Sequence, residues 1–114
     1  MSKREMRLFL NDIVESCEAI FDYVDGLDFN AFESDRKTYS AVIREFEIIG
    51  EAAKHLPEDF FTDKDIDIRD MVDFRNLLIH EYFGVDFEIV WNTIKDDLPA
   101  LYSAIVDLKE RVDV

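Results

Sequence analysis

Four side chains that together could bind and cleave a phosphodiester lie within one short stretch of the chain: Arg75, Asn76, His80 and Tyr82. Arginine is always charged, and its planar fork of N–H donors matches phosphate oxygens. Histidine is the side chain that can give or take a proton near neutral pH. Arg75 and His80 are therefore the candidate catalytic residues, because the pair can hold a phosphodiester and move its protons.

The spacing of these residues limits how they can meet. On an α-helix, where each residue turns by about 100°, Arg75 and Tyr82 lie within about 20° of one another, whereas Arg75 and His80 are about 140° apart. One straight helix therefore does not bring all three side chains together. Either the helix distorts near His80, or a second copy of the chain completes the site.

The stretch lies at the end of an apolar helical run, in a chain whose hydrophobic residues recur at intervals of three and four. This periodicity is typical of amphipathic helices, and no segment shows the alternation of a strand. Hydrophobic residues make up 48% of the 114 residues, with only three glycines and two prolines. We predict one all-α domain, residues 1–114, that folds as an antiparallel bundle of four to five helices.

Capping and helix-breaking residues predict the limits of the first two long helices. Gly26 ends the first helix, and a connection follows up to Ser34. Ser34 or Asp35 can cap the second helix, which stops at Pro57 because the residue before a proline is disfavoured in helical conformation. Gly50 lies inside this helix at a cost of roughly 1 kcal/mol relative to alanine, and a close helix crossing is the simplest reason for it.

The second half of the chain contains similar signals. Thr62 or Asp63 can cap a third helix, which carries the candidate catalytic stretch and ends with Gly84 as terminator. Asp86 can cap a fourth helix. Pro99 either begins a fifth helical segment or kinks one long helix.

The pattern of Arg75, four residues, His80, one residue and Tyr82 resembles the signature of HEPN-domain ribonucleases of the HepT type. Further segments resemble the family pattern in the same order and cover most of the chain from about Tyr39 onward: Ile48 to Lys54, Leu56-Pro57, Tyr82 to Asp86 and Leu98 to Leu101. Members of that family tend to carry a Gly-Met pair before the arginine, where this chain has Asp73-Phe74. The added carboxylate of Asp73 either engages Arg75 or weakens phosphate binding near it.

This resemblance implies a HEPN-like fold, a homodimer and a function. The function is that of a metal-independent endoribonuclease toxin in a type VII-like toxin–antitoxin system, with RNA as substrate and a minimal nucleotidyltransferase as antitoxin. Arg75 would stabilise charge in the transition state, and His80 would act as general acid or base. Asn76 would orient the phosphate or the imidazole. Tyr82 would support the site and accept AMP from the antitoxin, which silences the nuclease. No cofactor, metal, DNA or membrane is implied.

The net charge of −14 is unusual for a protein that acts on RNA, because nucleic-acid binders generally carry a basic footprint. Arg44, Arg69 and Arg75 could nevertheless form a small positive focus on an acidic body. The charge and Asp73 favour an alternative function, a noncatalytic helical subunit that positions substrate or nucleotide for a nucleotidyltransferase. The Arg75 and His80 pair favours the nuclease. A third possibility is a helical scaffold without any site.

Other candidate sites have structural explanations. Glu47 and Glu51 are four residues apart, and an ion pair with Arg44 or Lys54 is a better explanation for them than a metal site. The aspartates at positions 63, 65 and 67 imitate a calcium loop, but the glycine and the bidentate glutamate that such a loop needs are missing. Cys17 lies on the apolar face of the first helix and is predicted to be a buried thiol. The charged beginning of the chain and the lack of an apolar run of roughly 20 residues favour a cytoplasmic protein.

Overall fold

The computed structural model describes residues 1–61, 67–81 and 84–113, and these residues form helices and short connections without any strand. The elements in chain order are α1 (Lys3–Val24), α2 (Phe29–Ser34), α3 (Arg36–Lys54), a 3₁₀ turn (Glu58–Phe61), α4 (Ile68–His80), α5 (Phe87–Asn92), a π-helical segment (Thr93–Asp97) and α6 (Leu98–Asp113). The predicted all-α helical bundle is confirmed.

The long helices pack in an antiparallel manner around one core. Helix α1 packs against α3 and α6, and α3 packs against α4. Near the start of α1, the ring of Phe9 stacks on that of His55 at the end of α3, with centroids 4.8 Å apart. On the other side of α1, Lys109 near the end of α6 donates a hydrogen bond of 2.9 Å to Asn11. These contacts join the beginning of α1 to the ends of both neighbouring helices.

Aspartate caps begin four of the helices, α2 to α5. The predicted cap of α3 is confirmed, because Asp35 accepts hydrogen bonds from the side chain and the backbone N–H of Thr38. These bonds hold the pKa of Asp35 below its ordinary value. The predicted cap of α5 is also confirmed, with Asp86 accepting from a backbone N–H two residues later. Helix α4 is capped by Asp67; the predicted cap at Thr62 or Asp63 is wrong, and those two residues lie outside the described ranges.

The predicted connection up to Ser34 is partly wrong, because its second half is the short helix α2. Asp28 begins this helix by accepting a hydrogen bond of 2.8 Å from the backbone N–H of Ala31. Phe32 is completely buried, and its ring lies 5.2 Å from that of Trp91 in α5. An N-cap and one buried aromatic residue are thus enough to order a segment that lacks a long apolar stripe.

The last 27 residues that the structure describes, 87–113, form one helical run through α5, the π-helical segment and α6. Pro99 is therefore a distortion within one long helix and not the start of a separate one. Proline has no N–H group, and its ring clashes with the carbonyl four residues earlier. The wider π-helical turn lies directly before Pro99, at the place where this clash would occur.

Twenty-five hydrophobic side chains with little exposed surface form one core cluster that includes residues from every helix. Cys17 is among them and is fully buried, as predicted. Burial raises the pKa of its thiol to about 12. None of the described helices combines the length and the hydrophobicity that crossing a membrane requires.

Candidate functional site

The site begins at the crossing of α3 and α4, where Gly50 faces Arg75. A Cβ atom at Gly50 would overlap the Cβ of Arg75 and would lie 2.7 Å from its Cγ and 3.0 Å from the carbonyl oxygen of Met71. Glycine at this position lets the two backbones approach, so the predicted close helix crossing is confirmed. The base of the Arg75 side chain is held directly against α3.

Two neighbours hold the guanidinium group of Arg75. Its Nη2 lies 2.9 Å from Oε2 of Glu51 on α3, and its Nη1 donates a hydrogen bond of 2.8 Å to Oδ1 of Asn76. The Glu51 oxygen is buried, and its contact with Arg75 is an ion pair that lacks hydrogen-bond geometry. Only 26% of the Arg75 side chain is exposed, so the cation is placed by both helices.

Asn76 lies beside Arg75 on α4. It is half-buried, and its side-chain oxygen accepts a hydrogen bond from the Arg75 guanidinium. Asp73 is exposed, and within the described residues it forms no ion pair with Arg75. The neighbouring Phe74 packs edge-on against Phe46 at 5.0 Å between ring centroids. The departure from the family pattern therefore adds a core aromatic residue and a solvent-facing carboxylate.

Glu51 is the site residue that the sequence did not reveal. An ion pair with Arg44 or Lys54 was predicted, and Lys54 does lie near it, with 4.0 Å between Nζ and Oε1. The much closer contact is with Arg75, 24 positions later in the chain. Gly50 marks a helix crossing in the sequence, but the pattern does not say which residue of which helix lies opposite.

Arg75 lines an open groove of about 370 Å³ between α1, α3 and α4. The groove is lined by Phe9, Asp12, Arg44, Glu47, Ile48, Glu51, Ala52, Arg75 and Ile79. Two of the three arginines predicted to form a positive focus thus share one surface. Arg69 does not, because it pairs with Glu58 at 2.6 Å. Two cations and three carboxylates face this groove, above an apolar floor.

Glu47 forms an ion pair with Arg44, with 3.5 Å between Oε2 and Nη1, in agreement with the structural explanation given for this carboxylate. Across the described ranges, no group of three or more histidine, cysteine, aspartate or glutamate residues is arranged to hold a metal ion.

His80 is the last residue of α4 and is exposed. The helix is regular from Arg75 to His80, and the backbone N–H of Glu81 still donates to the carbonyl of Leu77 at 2.9 Å. Helix α4 is therefore undistorted between the two candidate catalytic residues, contrary to the first of the two alternatives above. They point about 140° apart around the helix axis. Within residues 1–61, 67–81 and 84–113, His80 has no hydrogen-bond or ion-pair partner.

Gly84, the predicted terminator of α4, does not have a positive φ; among the described glycines that conformation occurs at Gly26. The helix ends at the cap Glu81, and the backbone N–H of Gly84 donates to the Glu81 carbonyl at 2.8 Å. Tyr82, the predicted support residue and AMP acceptor, lies outside the described residues.

The surface beside His80 is apolar. Leu77, on the same side of α4, is 46% exposed, and Ile89 of α5 is 48% exposed. Both residues line a small pocket of about 180 Å³ whose other walls include Leu78, Val85 and Val90. Glu81 and Asp86 also line this pocket, and Leu77 lies about one helical turn before His80 on α4.

Comparison with known proteins identifies the family. The sequence profile described as ribonuclease HepT-like matches residues 13–108. A protein of Thermococcus cleftensis named "Probable ribonuclease HepT" is 42% identical over 109 residues, which cover 95% of this chain and 99% of that protein. A "Putative RNase" of Methanocaldococcus jannaschii is 40% identical over 114 residues, which cover 96% of this chain and 94% of the relative. No solved structure gives a significant match.

The chain therefore belongs to the ribonuclease HepT-like family. The family predicted from the Arg75-to-Tyr82 signature is confirmed, and with it the predicted class of enzyme, a ribonuclease.

Proposed function

We propose that this member of the HepT-like family is a metal-independent endoribonuclease in which Arg75 and His80 carry out the reaction. The observation that carries the proposal is the position of Arg75. Its guanidinium is fixed by Glu51 and Asn76 at the edge of an open groove, while His80 lies five residues later on the same helix with its ring exposed to solvent. A fixed cation and an accessible imidazole are the two groups that phosphodiester cleavage without a metal requires.

The reaction uses the ribose 2′-hydroxyl as nucleophile. The 2′-oxygen attacks phosphorus as a base removes its proton, and the bond from phosphorus to the 5′-oxygen breaks as that oxygen gains a proton. His80 supplies one of these two proton transfers. Arg75 stabilises the additional negative charge on the phosphoryl oxygens in the transition state. The products are a 2′,3′-cyclic phosphate and a free 5′-hydroxyl.

The functional unit is a homodimer. Because α4 is regular and holds Arg75 and His80 on different faces, one protomer does not bring both groups to one phosphate. The exposed Leu77 and Ile89 provide an apolar surface next to His80 on which a second copy can pack. Two-fold packing would place His80 of one copy near the other copy's groove, so the cleft collects Arg75 and His80 from both protomers.

Mixing two inactive variants tests the shared cleft. Arg75→Ala and His80→Ala proteins are each expected to be inactive, whereas a re-equilibrated equimolar mixture regains activity. Half of the dimers are then mixed, and each mixed dimer keeps one intact pair, so roughly a quarter of wild-type activity is expected. No recovery, in a mixture shown to exchange subunits, would mean that each protomer uses its own Arg75 and His80.

We further propose that the nuclease is a toxin of a type VII-like system that acts on cytoplasmic RNA. Its antitoxin is a minimal nucleotidyltransferase that transfers AMP to Tyr82. A phosphate two residues from His80 would add negative charge where the substrate phosphate must bind, so repulsion and occlusion would silence the enzyme. A Tyr82→Phe protein should remain toxic in the presence of the antitoxin.

Expression without the antitoxin tests the function. Wild-type protein should stop growth and degrade cellular RNA, and His80→Ala should abolish both effects, since His80 is exposed and its removal leaves the core unchanged. The main competing function is the noncatalytic subunit that positions substrate for a nucleotidyltransferase, which the net charge of −14 favours. Such a subunit would be harmless when expressed alone at the same level.

A further inference from the structure

The ion pair between Glu51 and Arg75 indicates how the catalytic cation is prepared for RNA. We propose that Glu51 is a positioning residue, which holds the Arg75 guanidinium in the orientation that binds the scissile phosphate. This inference rests on the proposed function of Arg75 and adds a residue on another helix to the site.

Arg75 can still bind a phosphate while Glu51 and Asn76 contact its guanidinium. A guanidinium has five N–H donors in a rigid fork. Asn76 accepts one hydrogen bond from Nη1, whereas the contact of Nη2 with Glu51 is an ion pair without hydrogen-bond geometry. Asn76 therefore uses one of the five donors, and the side chain still lines the open groove. Glu51 restricts the direction of the fork without using all of its donors.

Glu51 has further neighbours besides Arg75. Its second oxygen, Oε1, lies 3.6 Å from Nε2 of His55 and 4.0 Å from Nζ of Lys54, both in the last turn of α3 or directly after it. His55 in turn stacks on Phe9 of α1. The carboxylate thus links α4 to α3 and α1. Arginine side chains lose considerable rotamer freedom when they are fixed, and here this loss occurs before RNA binds.

Glu47 provides a matched comparison for Glu51. It lies one helical turn earlier on α3, lines the same groove and carries the same charge. Its partner is Arg44 at 3.5 Å and not Arg75. A carboxylate that acted only through its charge would repel RNA phosphates equally well from either position. A positioning residue must instead contact Arg75. Of these two carboxylates, Glu51 is the one that contacts it.

The test compares Glu51→Gln with Glu47→Gln in cleavage kinetics on a short RNA, with folding checked by circular dichroism and thermal unfolding. Glu51→Gln is expected to lower kcat about tenfold with a small change in KM, because a misplaced catalytic group mainly affects the transition state. Glu51→Ala, which lacks any acceptor, should lose more. Glu47→Gln should lower KM modestly, since it removes one repelling charge, and should change kcat much less than Glu51→Gln does.

Binding of a 2′-O-methyl RNA, which cannot be cleaved, gives a second measurement that does not depend on turnover. In an Arg75→Ala background, Glu51→Gln should change affinity no more than Glu47→Gln does, because a residue that acts through Arg75 has nothing left to position. Equal kinetic effects of Glu51→Gln and Glu47→Gln, or a faster Glu51→Gln enzyme, would overturn the inference. A different result, full RNA cleavage activity of the Arg75→Ala protein, would contradict the proposed function itself.

Discussion

A side chain at Gly50 would collide with Arg75, so the crossing of α3 and α4 also sets the position of the candidate catalytic arginine. The atoms that a Cβ would meet are Cβ and Cγ of Arg75 and the Met71 carbonyl oxygen. The Cβ of Arg75 and the Met71 carbonyl oxygen are fixed by the backbone of α4, so no side-chain rotation would relieve their contact with an added Cβ. The absence of a side chain at Gly50 therefore determines both how closely α3 and α4 pack and where Arg75 lies.

Gly50→Ala is expected to reduce both stability and cleavage. Alanine would gain about 1 kcal/mol in helix propensity, but overpacking a close crossing costs about 1–3 kcal/mol. Since α4 must shift, we expect a loss of about 1 kcal/mol in the free energy of unfolding and at least about tenfold in kcat. Urea unfolding and cleavage kinetics measure the two effects.

Gly84→Ala is the matched control for this substitution. Gly84 also lies close to the catalytic stretch, but an added Cβ would meet only Oε2 of Glu81, at 3.9 Å. This variant should keep wild-type stability and kcat. Wild-type behaviour of Gly50→Ala would show that the helix crossing does not control Arg75.

Asp73→Asn is expected to leave cleavage within about twofold of wild type. Asp73 is exposed, and the carboxylate next to Arg75 is that of Glu51. Asp73 lies about 200° from Arg75 around the axis of α4, and the charge of an exposed side chain is screened by water and salt. Measuring kcat and KM at two salt concentrations would detect any effect. A large rise in activity would mean that the departure from the family pattern restrains this enzyme.

The sequence predicted more of the helices than of the site. Periodicity and capping residues such as Asp35 and Asp86 predict elements well because these signals are local. The residue types and their spacing identified Arg75 and His80 as candidates, but no local signal could identify Glu51, because its partner lies on another helix. Helix α2 was missed because six residues are too few to show a helical period. What could not be predicted depends on contacts between distant parts of the chain.

Leu77→Asp is expected to dissociate the proposed homodimer and to lower cleavage with it. Leu77 is 46% exposed and borders His80, so a charge there would be buried without a partner in the interface. Size-exclusion chromatography with light scattering would report a monomer. Leu8→Asp is the control, because Leu8 is 58% exposed on α1, away from the surface formed by Leu77 and Ile89. A dimeric Leu77→Asp protein would place the interface elsewhere.

Alkaline pH is expected to destabilise the fold through Cys17. Burial, with a smaller contribution from the Glu18 carboxylate, raises the pKa of its thiol from 9.0 to about 12. Above pH 9 the unfolded chain releases this proton while the folded protein keeps it, so the free energy of unfolding falls as pH rises from 9 to 12. At pH 10 this contribution is about 1 kcal/mol.

Cys17→Ala removes this titration. The variant should be less stable than wild type at pH 7.5 by about 1 kcal/mol, because it leaves a small cavity. The difference between the two proteins in urea unfolding should then shrink as pH rises from 8.5, vanish near about pH 10 and reverse sign by about pH 10.5. Parallel pH profiles would show that the thiol ionises in the folded state as easily as in the unfolded chain.

The most direct test of the account is cleavage of RNA by the purified protein in excess EDTA. Wild-type protein that carries no AMP on Tyr82, as shown by mass spectrometry, is compared with Arg75→Ala and His80→Ala, each shown to be folded by circular dichroism. We expect wild type to cut RNA into products with cyclic phosphate ends, and both variants to be inactive. Wild-type protein that cuts no RNA, or a His80→Ala protein that cuts as well as wild type, would contradict the account.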